Sequence, residues 1–352
     1  MNVTTAGRYL SLADHPGAWR AADVNLDSLS FDLAPAHVAA LKDALAAIRA
    51  RGLAMTAVTA ADFPLGPLAE PVRRLKAEML DGRGIVFIRG FPAGSLPLED
   101  EETIFWGLGA HFGTAVSQSV MGDRLGRVID VTDVDPNARA YRARRELTLH
   151  TDLSDALGFW CVRRAMTGGL SQYASALAVH ERLRQTAPHH LDVLYRGFPW
   201  HRLGENGSEE APITPYRVPV FSELEGRVSC RYVRTYMTEA AHHLGRPMAA
   251  QEVAAFDAFE ALANSPEFRI ELMLEPGTVV FLNNFTVLHA RTAFENYPPP
   301  AQKRLLLRLW LAVPEGRRVV PEMQVYDTGP GGGIRYQPGR TPSFVKATAA
   351  RD

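Results

Sequence analysis

The sequence predicts a mainly β domain with helical decoration, an α+β chain, and three observations carry that expectation. The first hundred residues read as helices around a single strand. From about residue 127 onward the texture changes to short strands broken by turns. The last confident strand, RLLLRLWLAV at 304–313, alternates leucine with arginine and tryptophan. At 352 residues the chain could hold two average domains, but barrels and sandwiches with helical decoration often reach this length as one unit. With no internal repeat and no linker, the expectation is one domain over 1–352. Within it, 1–84 form a mostly helical N-terminal extension and 315–352 a loop-rich tail.

Each element has a local reason. Pro35 opens a helix whose Val38, Leu41, Leu45 and Ile48 share a face, and Gly52 is placed to end it. A second helix carries Val72, Leu75 and Met79. Gly84 introduces a short apolar strand, IVFIRG at 85–90. A third helix starts near Pro97 with acids Glu99 to Glu102 in its first turn, where they suit the helix dipole. Strands follow at 127–134, 147–153 and 158–165, with basic RARREL at 142–147 between the first two. A helix near 175–186 and an exposed loop at 200–215 come next. Residues 218–233 read as a hairpin around Glu225-Gly226, and 249–264 as a long helix. FRIELMLEPGTVVFLNN at 268–284 reads as a second hairpin, turning at Pro276-Gly277. The GPGGG run at 329–333 lacks the lysine and Ser/Thr of a phosphate-binding loop and reads as a plain turn.

Composition excludes several classes of function. An apolar share of 46% and a charged share of 22% are ordinary for a globular core. With 38 basic and 39 acidic residues the net charge is −1, so the basic footprint of a nucleic-acid binder is missing. No window approaches the ~18 apolar residues of a membrane helix, so no membrane partner is expected. The N-terminus has no basic stretch followed by an apolar one, unlike a signal peptide. Two cysteines, Cys161 and Cys230, cannot build a disulfide framework. A soluble, cytoplasmic protein acting on a small molecule is the economical expectation, with a homo-oligomer left open.

The chemistry lies in segments far apart in sequence. His150-Thr151-Asp152 offers an imidazole and a carboxylate two residues apart, on one side of a strand. His289 closes the apolar run VVFLNNFTVLH. Two imidazoles and a carboxylate form the ligand set of a non-haem Fe(II) site with one open face. Alone, an H-x-D tripeptide is weak: His190-Leu191-Asp192 repeats it, but in a helical stretch where residues two apart diverge. The basic strand after His289 adds weight. Its leucines occupy one face, and Arg304, Leu306, Arg308 and Trp310 the other. Buried guanidinia call for anions, and a fork of this kind suits the far carboxylate of a 2-oxo acid chelated to the metal. The alternative for this segment is an edge strand with solvated arginines. The combination points to an oxygenase.

Three motifs, HTDLSD at 150–155, TGGLSQYAS at 167–175, and NNFTVLHARTAFEN with KRLLLRLWLAV over 283–313, resemble the taurine dioxygenase/TfdA-like branch of the Fe(II)- and 2-oxoglutarate-dependent oxygenases, close also to clavaminate synthase-like enzymes. The resemblance is diffuse over roughly 85–315. It implies a double-stranded β-helix, a cupin-like jelly roll, at the core. It further implies His150, Asp152 and His289 as metal ligands, Arg304 as the clamp on 2-oxoglutarate, and Ser171 where the family usually has a threonine. Arg308 matches a second family arginine, often turned toward the substrate. The co-substrates would be 2-oxoglutarate and O₂, with succinate and CO₂ released. Hydroxylation of a C–H bond leads, with desaturation or oxidative cyclisation at the same site as the alternative. A non-catalytic cupin-like metal binder is a more distant reading. Because Asp152 is present, a halogenase is not indicated.

The substrate expectation comes from charge. Arg304 and Arg308 lie four residues apart, about 13 Å along a strand at ~3.3 Å per residue, so Arg308 is free for another anion. Arg231 and Arg234, flanking Tyr232 on the expected hairpin strand, could add to it, and the RARR at 142–145 is placed to act as a lid. A small polar substrate of carboxylate or amino-acid type is therefore expected.

Overall fold

In the computed structural model, which describes residues 8–133, 135, 140–207, 209–326 and 333–339, the strand Leu305–Ala312 is an interior strand of a seven-stranded sheet. It pairs antiparallel with Ala156–Arg163 on one side, and with Leu125–Val128 and Thr114–Val116 on the other. Beyond Ala156–Arg163 come Val279–Asn283 and Ile85–Arg89, and then Ser30–Asp32, which runs parallel to its neighbour. The edge-strand alternative for Leu305–Ala312 is thereby overturned. Its alternation does what the sequence suggested. Leu305, Leu307, Leu309 and Leu311 share an apolar cluster with Leu41 and Ile48 of helix Pro35–Ala50, and with Phe105 and Phe112 of helix Leu98–Phe112. Helix Ala69–Asp81 adds Val72 and Met79 to the same layer. Each buried leucine contributes roughly 1.5–3 kcal/mol, which helps sustain a strand whose other face carries charge.

A second, four-stranded antiparallel sheet has the order Arg269–Leu272, Ser171–Ser175, Val287–Arg291, Leu147–His150. Between the two sheets lies an inner core, to which Leu306, Trp310, Val280 and Leu282 project from one side and Tyr173 and Val287 from the other. Helices Ala176–Thr186, Pro188–Arg196, Arg234–His243 and Ala250–Ala263 and the hairpin Phe221–Leu224/Arg227–Cys230 form a third cluster. It covers the far side of the small sheet through Leu149, Ala174, Leu288 and Ala290. The hairpin turn is as expected: Glu225 and Gly226 have φ of 54° and 72°, the left-handed pair of a two-residue connection.

The second expected hairpin does not exist. Arg269–Leu272 pairs with Ser171–Ser175 in the small sheet, whereas Val279–Asn283 joins the large one. Pro276-Gly277 thus carries the chain across from sheet to sheet. Gly277 is pinned at φ 84°, donating its N–H to Cys161 O at 2.9 Å and accepting from Phe91 N at 3.0 Å. VVFLNNFTVLH likewise divides: Val279–Asn283 and Val287–Arg291 belong to opposite sheets. Two strands are shorter than expected, ending at Val128 and at His150, so Asp152 lies beyond its strand. Most of the GPGGG run falls outside the described residues. Both cysteines are buried and unpaired. No helix among the described residues is long and apolar enough to cross a membrane.

Candidate metal and co-substrate site

Strand register brings the two histidines together. His289 stands directly opposite His150 on the neighbouring antiparallel strand, so both side chains leave the same face and their ring centroids lie 4.2 Å apart. A slip of one residue would turn either away. Asp152 is placed by a backbone exchange instead of a ladder. Thr151 N donates to Tyr232 O at 2.8 Å, and Tyr232 N to Thr151 Oγ1 at 3.0 Å, which turns Thr151 away from the histidines. Asp152 N donates to Asn284 Oδ1 at 3.1 Å, and Asn284 Nδ2 to Ser154 Oγ at 3.0 Å. Arg231 Nη1 donates to Asp152 O from behind.

The result is three ligand-type atoms within 4.8 Å of one another. His150 Nε2 lies 3.7 Å from Asp152 Oδ1, and His289 Nε2 3.8 Å from Asp152 Oδ2. These separations are too long for hydrogen bonds. The groups converge on a shared point without satisfying each other, the arrangement a cation would complete. Protonation fits too. Burial, with His150 and Arg308 nearby, pulls His289 down to about 3, and burial lowers His150 as well. For Asp152, burial works upward. The Arg308 guanidinium at 3.4 Å, the two rings and the Trp310 indole N–H at 2.9 Å outweigh it and hold the carboxyl at about 2. Neutral imidazoles and an ionised carboxylate are the forms that bind metal. His150 Nδ1 lies 2.8 Å from Thr148 O, which fixes the tautomer with Nε2 free. His289 lacks this aid, since its Nδ1 is buried without a partner among the described residues.

Beside the histidines opens a cavity of about 480 Å³, part of it open to solvent, lined among others by Phe159, Ser171, Tyr173, Arg304 and Arg308. Arg304 is only 4% exposed. Its guanidinium lies 5.2 Å from the Phe294 ring centroid and has neither a carboxylate nor a hydrogen-bond acceptor among the described residues. Burial lowers it to about 10. A buried cation left this way costs several kcal/mol unless an anion joins it. Gly169, at φ +73°, makes room: a Cβ there would lie 3.2 Å from Arg304 Nε. Ser171 is buried at the start of Ser171–Ser175, in the facing small sheet.

Of the arginines expected around a substrate, one reaches the cavity. Arg308 lines it, lying over the Tyr141 ring at 4.3 Å and donating from Nε to Gln118 Oε1 at 2.7 Å. Arg231 and Arg234 do not line it. Their strand ends at Cys230, which leaves Arg231 buried behind Asp152. Arg234 opens a helix and is engaged by Asp257 at 2.9 Å and by Glu260. The 142–145 segment borders the site through Ala143 O and Arg145 O, which accept from Arg291, and Tyr141 just before it lines the cavity. Sequence reasoning missed Asn284 and Gln118, which reach the site from loops, and Tyr141, which reaches it from the 3-10 turn Ala140–Arg142. It placed Trp310 on the correct face without giving it a role.

Comparisons with known proteins bear on the fold and the family. The chain is 29% identical over 297 residues to "FR-33289 synthase" of Streptomyces rubellomurinus (strain ATCC 31215), covering 83% of this chain and 87% of that protein. It is 25% identical over 292 residues to "Taurine hydroxylase-like protein SAT17" of Stachybotrys chartarum (strain CBS 109288 / IBT 7711), covering 79% and 73%. Among solved structures, asparagine oxygenase in complex with Fe(II), 2S,3S-3-hydroxyasparagine and succinate superposes with a TM-score of 0.64 at 14% identity, covering 81% of this chain and 93% of that one. Non-heme iron oxygenase OrfP in complex with Fe and alpha-ketoglutaric acid gives 0.61 at 17%, covering 80% and 93%. Both share the fold: two facing sheets with helices outside, the cupin-like jelly roll. Residues 49–310 match the model of the Taurine catabolism dioxygenase TauD, TfdA family. The chain belongs to that family and is a 2-oxoglutarate-dependent oxygenase that uses iron.

Proposed function

We propose that this enzyme hydroxylates a C–H bond of a small anionic metabolite, with Fe(II) held by His150, Asp152 and His289. Arg304 and Ser171 would hold the distal carboxylate of 2-oxoglutarate. One observation carries the reading: three metal-ligand atoms lie within 4.8 Å of one another beside a cavity that also contains an unaccompanied buried guanidinium. When bound, the metal with 2-oxoglutarate and O₂ supplies the oxidising power, leaving succinate and CO₂. The protein's own residues orient and protect. Trp310 and Arg308 keep Asp152 ionised and fix its rotamer. Phe159, Tyr173 and Leu306 give the cavity apolar walls, which limit water around the reacting centre.

For the substrate, Arg308 is the candidate anchor. It lines the cavity, and its contact with Asp152 at 3.4 Å leaves donors free for a second acceptor. An anion of carboxylate or amino-acid type is the preferred class. The names of relatives support an anionic group: an asparagine oxygenase and a "Uridine-5'-phosphate dioxygenase" from Streptomyces sp are among them, the latter 32% identical over 157 residues. A cytoplasmic setting, where iron stays ferrous, belongs to the same proposal. The test is direct. Anaerobic protein loaded with Fe(II) is given 2-oxoglutarate, then O₂, with and without pooled anionic and neutral metabolites, and succinate is measured. Stimulation by an anionic pool supports the reading. Stimulation by neutral, apolar compounds alone removes the substrate class, and no succinate under any condition removes the function.

A further inference from the structure

Arg291 has no part in the site as described above, yet it is the third arginine lining the cavity. It lies two residues past His289 on the same strand, so it shares that residue's face. It is as buried as the histidine, and no carboxylate among the described residues pairs with it. Nη2 donates to two backbone carbonyls of one loop, Ala143 O at 2.8 Å and Arg145 O. Nε is buried with no partner among the described residues. The guanidinium lies 4.6 Å from the Phe294 ring centroid, and the Arg304 guanidinium lies 5.2 Å from the same centroid. Phe294 N also donates to Arg144 O at 3.0 Å. Two buried cations therefore flank one ring, and one of them, with the ring's own residue, holds the 143–145 backbone. Upstream in that loop, Tyr141 covers Arg308.

Two like charges brought together away from water repel unless an anion lies near both. Backbone carbonyls on one nitrogen satisfy hydrogen bonds but supply no counter-charge; Asp130 acts on Arg291 only through space, and Arg304 acts against it. We propose that Arg291 is a positioning residue for the co-substrate: a second cation at the distal carboxylate of 2-oxoglutarate, which transmits occupancy of that site to the 141–146 loop. This rests on the assignment of Arg304 made above. The loop that carries Tyr141 over Arg308 is then held firmly only when the carboxylate is present. The co-substrate in this way shapes the place where the substrate anion binds.

The loop itself offers the readout, because Arg142, Arg144 and Arg145 are trypsin sites. Anaerobic Fe(II)-loaded protein is digested with and without 2-oxoglutarate, the peptides are quantified by mass spectrometry, and binding is measured by calorimetry. In the wild type, 2-oxoglutarate slows cleavage at these arginines. 2-Oxobutyrate, a 2-oxo acid with no distal carboxylate, does not. Arg291→Gln weakens 2-oxoglutarate binding about ten- to a hundred-fold, the range for a lost hydrogen bond to a charged group, and abolishes protection even at saturation. Arg291→Lys keeps a cation and loses less of both, which guards against a fold defect in the glutamine variant. If both variants bind 2-oxoglutarate like the wild type and are merely cleaved faster with or without it, Arg291 only braces the loop and the proposal is overturned. If the wild type binds no 2-oxoglutarate, the assignment of Arg304 falls and takes this one with it.

Discussion

Asp152 shows how much one side chain depends on its neighbours. Its carboxylate stays ionised because Arg308 and Trp310 face it, and its backbone is fixed by Asn284, Tyr232 and Arg231. Replacing His150, Asp152 or His289 with Ala should abolish 2-oxoglutarate turnover and weaken Fe(II) binding while leaving the far-ultraviolet circular dichroism unchanged. Near-wild-type turnover in any one variant would remove that residue from the ligand set. Arg304→Lys should raise the Kd for 2-oxoglutarate by the equivalent of ~2–5 kcal/mol, since a point charge does not replace a buried fork. An unchanged Kd would move the clamp to Arg308. That these residues gather in one place was legible because their types are chemically restrictive: an imidazole pair with a carboxylate, and an arginine on the inward face of a leucine strand. Arg231 and Arg234 were misread for the converse reason. Their type suits any anion, and sequence spacing did not reveal that the strand stops at Cys230 and a helix begins at Arg234.

Among the strands and turns, periodicity gave the elements and their faces but not their partners. The alternation of Leu305–Ala312 correctly separated a leucine face, which the helices cover, from the face that carries the arginine into the interior. The Pro276-Gly277 turn was equally visible, yet a turn signal states only that the chain changes direction. Which sheet receives the next strand is decided by long-range pairing, here with Ile85–Arg89 and Ala156–Arg163. Gly277 is the residue on which this crossing depends. Its φ of 84° suits glycine, and an added Cβ would lie 2.3 Å from Phe91 O. Gly277→Ala should therefore destabilise the protein by more than about 1 kcal/mol, read as a lower urea midpoint. A midpoint equal to the wild type would show that the turn relaxes freely.

Stability of the assembled fold should depend on pH through buried imidazoles away from the site. His180, in helix Ala176–Thr186, is fully buried against Phe221 and hydrogen-bonded to Tyr195 at 2.9 Å. Burial pulls it from 6.5 to about 4. Above pH 6.5 the folded and unfolded forms are both neutral and nothing changes. As pH falls from 6.5 toward 4 only the unfolded chain takes up the proton, so stability is lost, by at most about 3 kcal/mol. Urea midpoints at pH 7.5 and 5 should therefore separate more for the wild type than for His180→Gln. Equal separations would assign the acid sensitivity elsewhere. In sequence His180 is one position of the helix expected near 175–186; its burial depends on packing from the hairpin and helices that follow.

The small sheet holds a further consequence. Ser171–Ser175 and Arg269–Leu272 are paired neighbours, so everything from 176 to 268 leaves the sheet at one point and returns beside it. A detour that starts and finishes at adjacent positions imposes no displacement on the strands that bear the histidines. Such a detour can lengthen, shorten or exchange its helices at little entropic cost. Among the described residues its hydrogen bonds reach the ligand set at one place, where Tyr232 and Arg231 grip Thr151 and Asp152. Variation among descendants of this chain should thus concentrate in the detour and spare that single tether, so that new substrates can be accommodated without rebuilding the site that oxidises them.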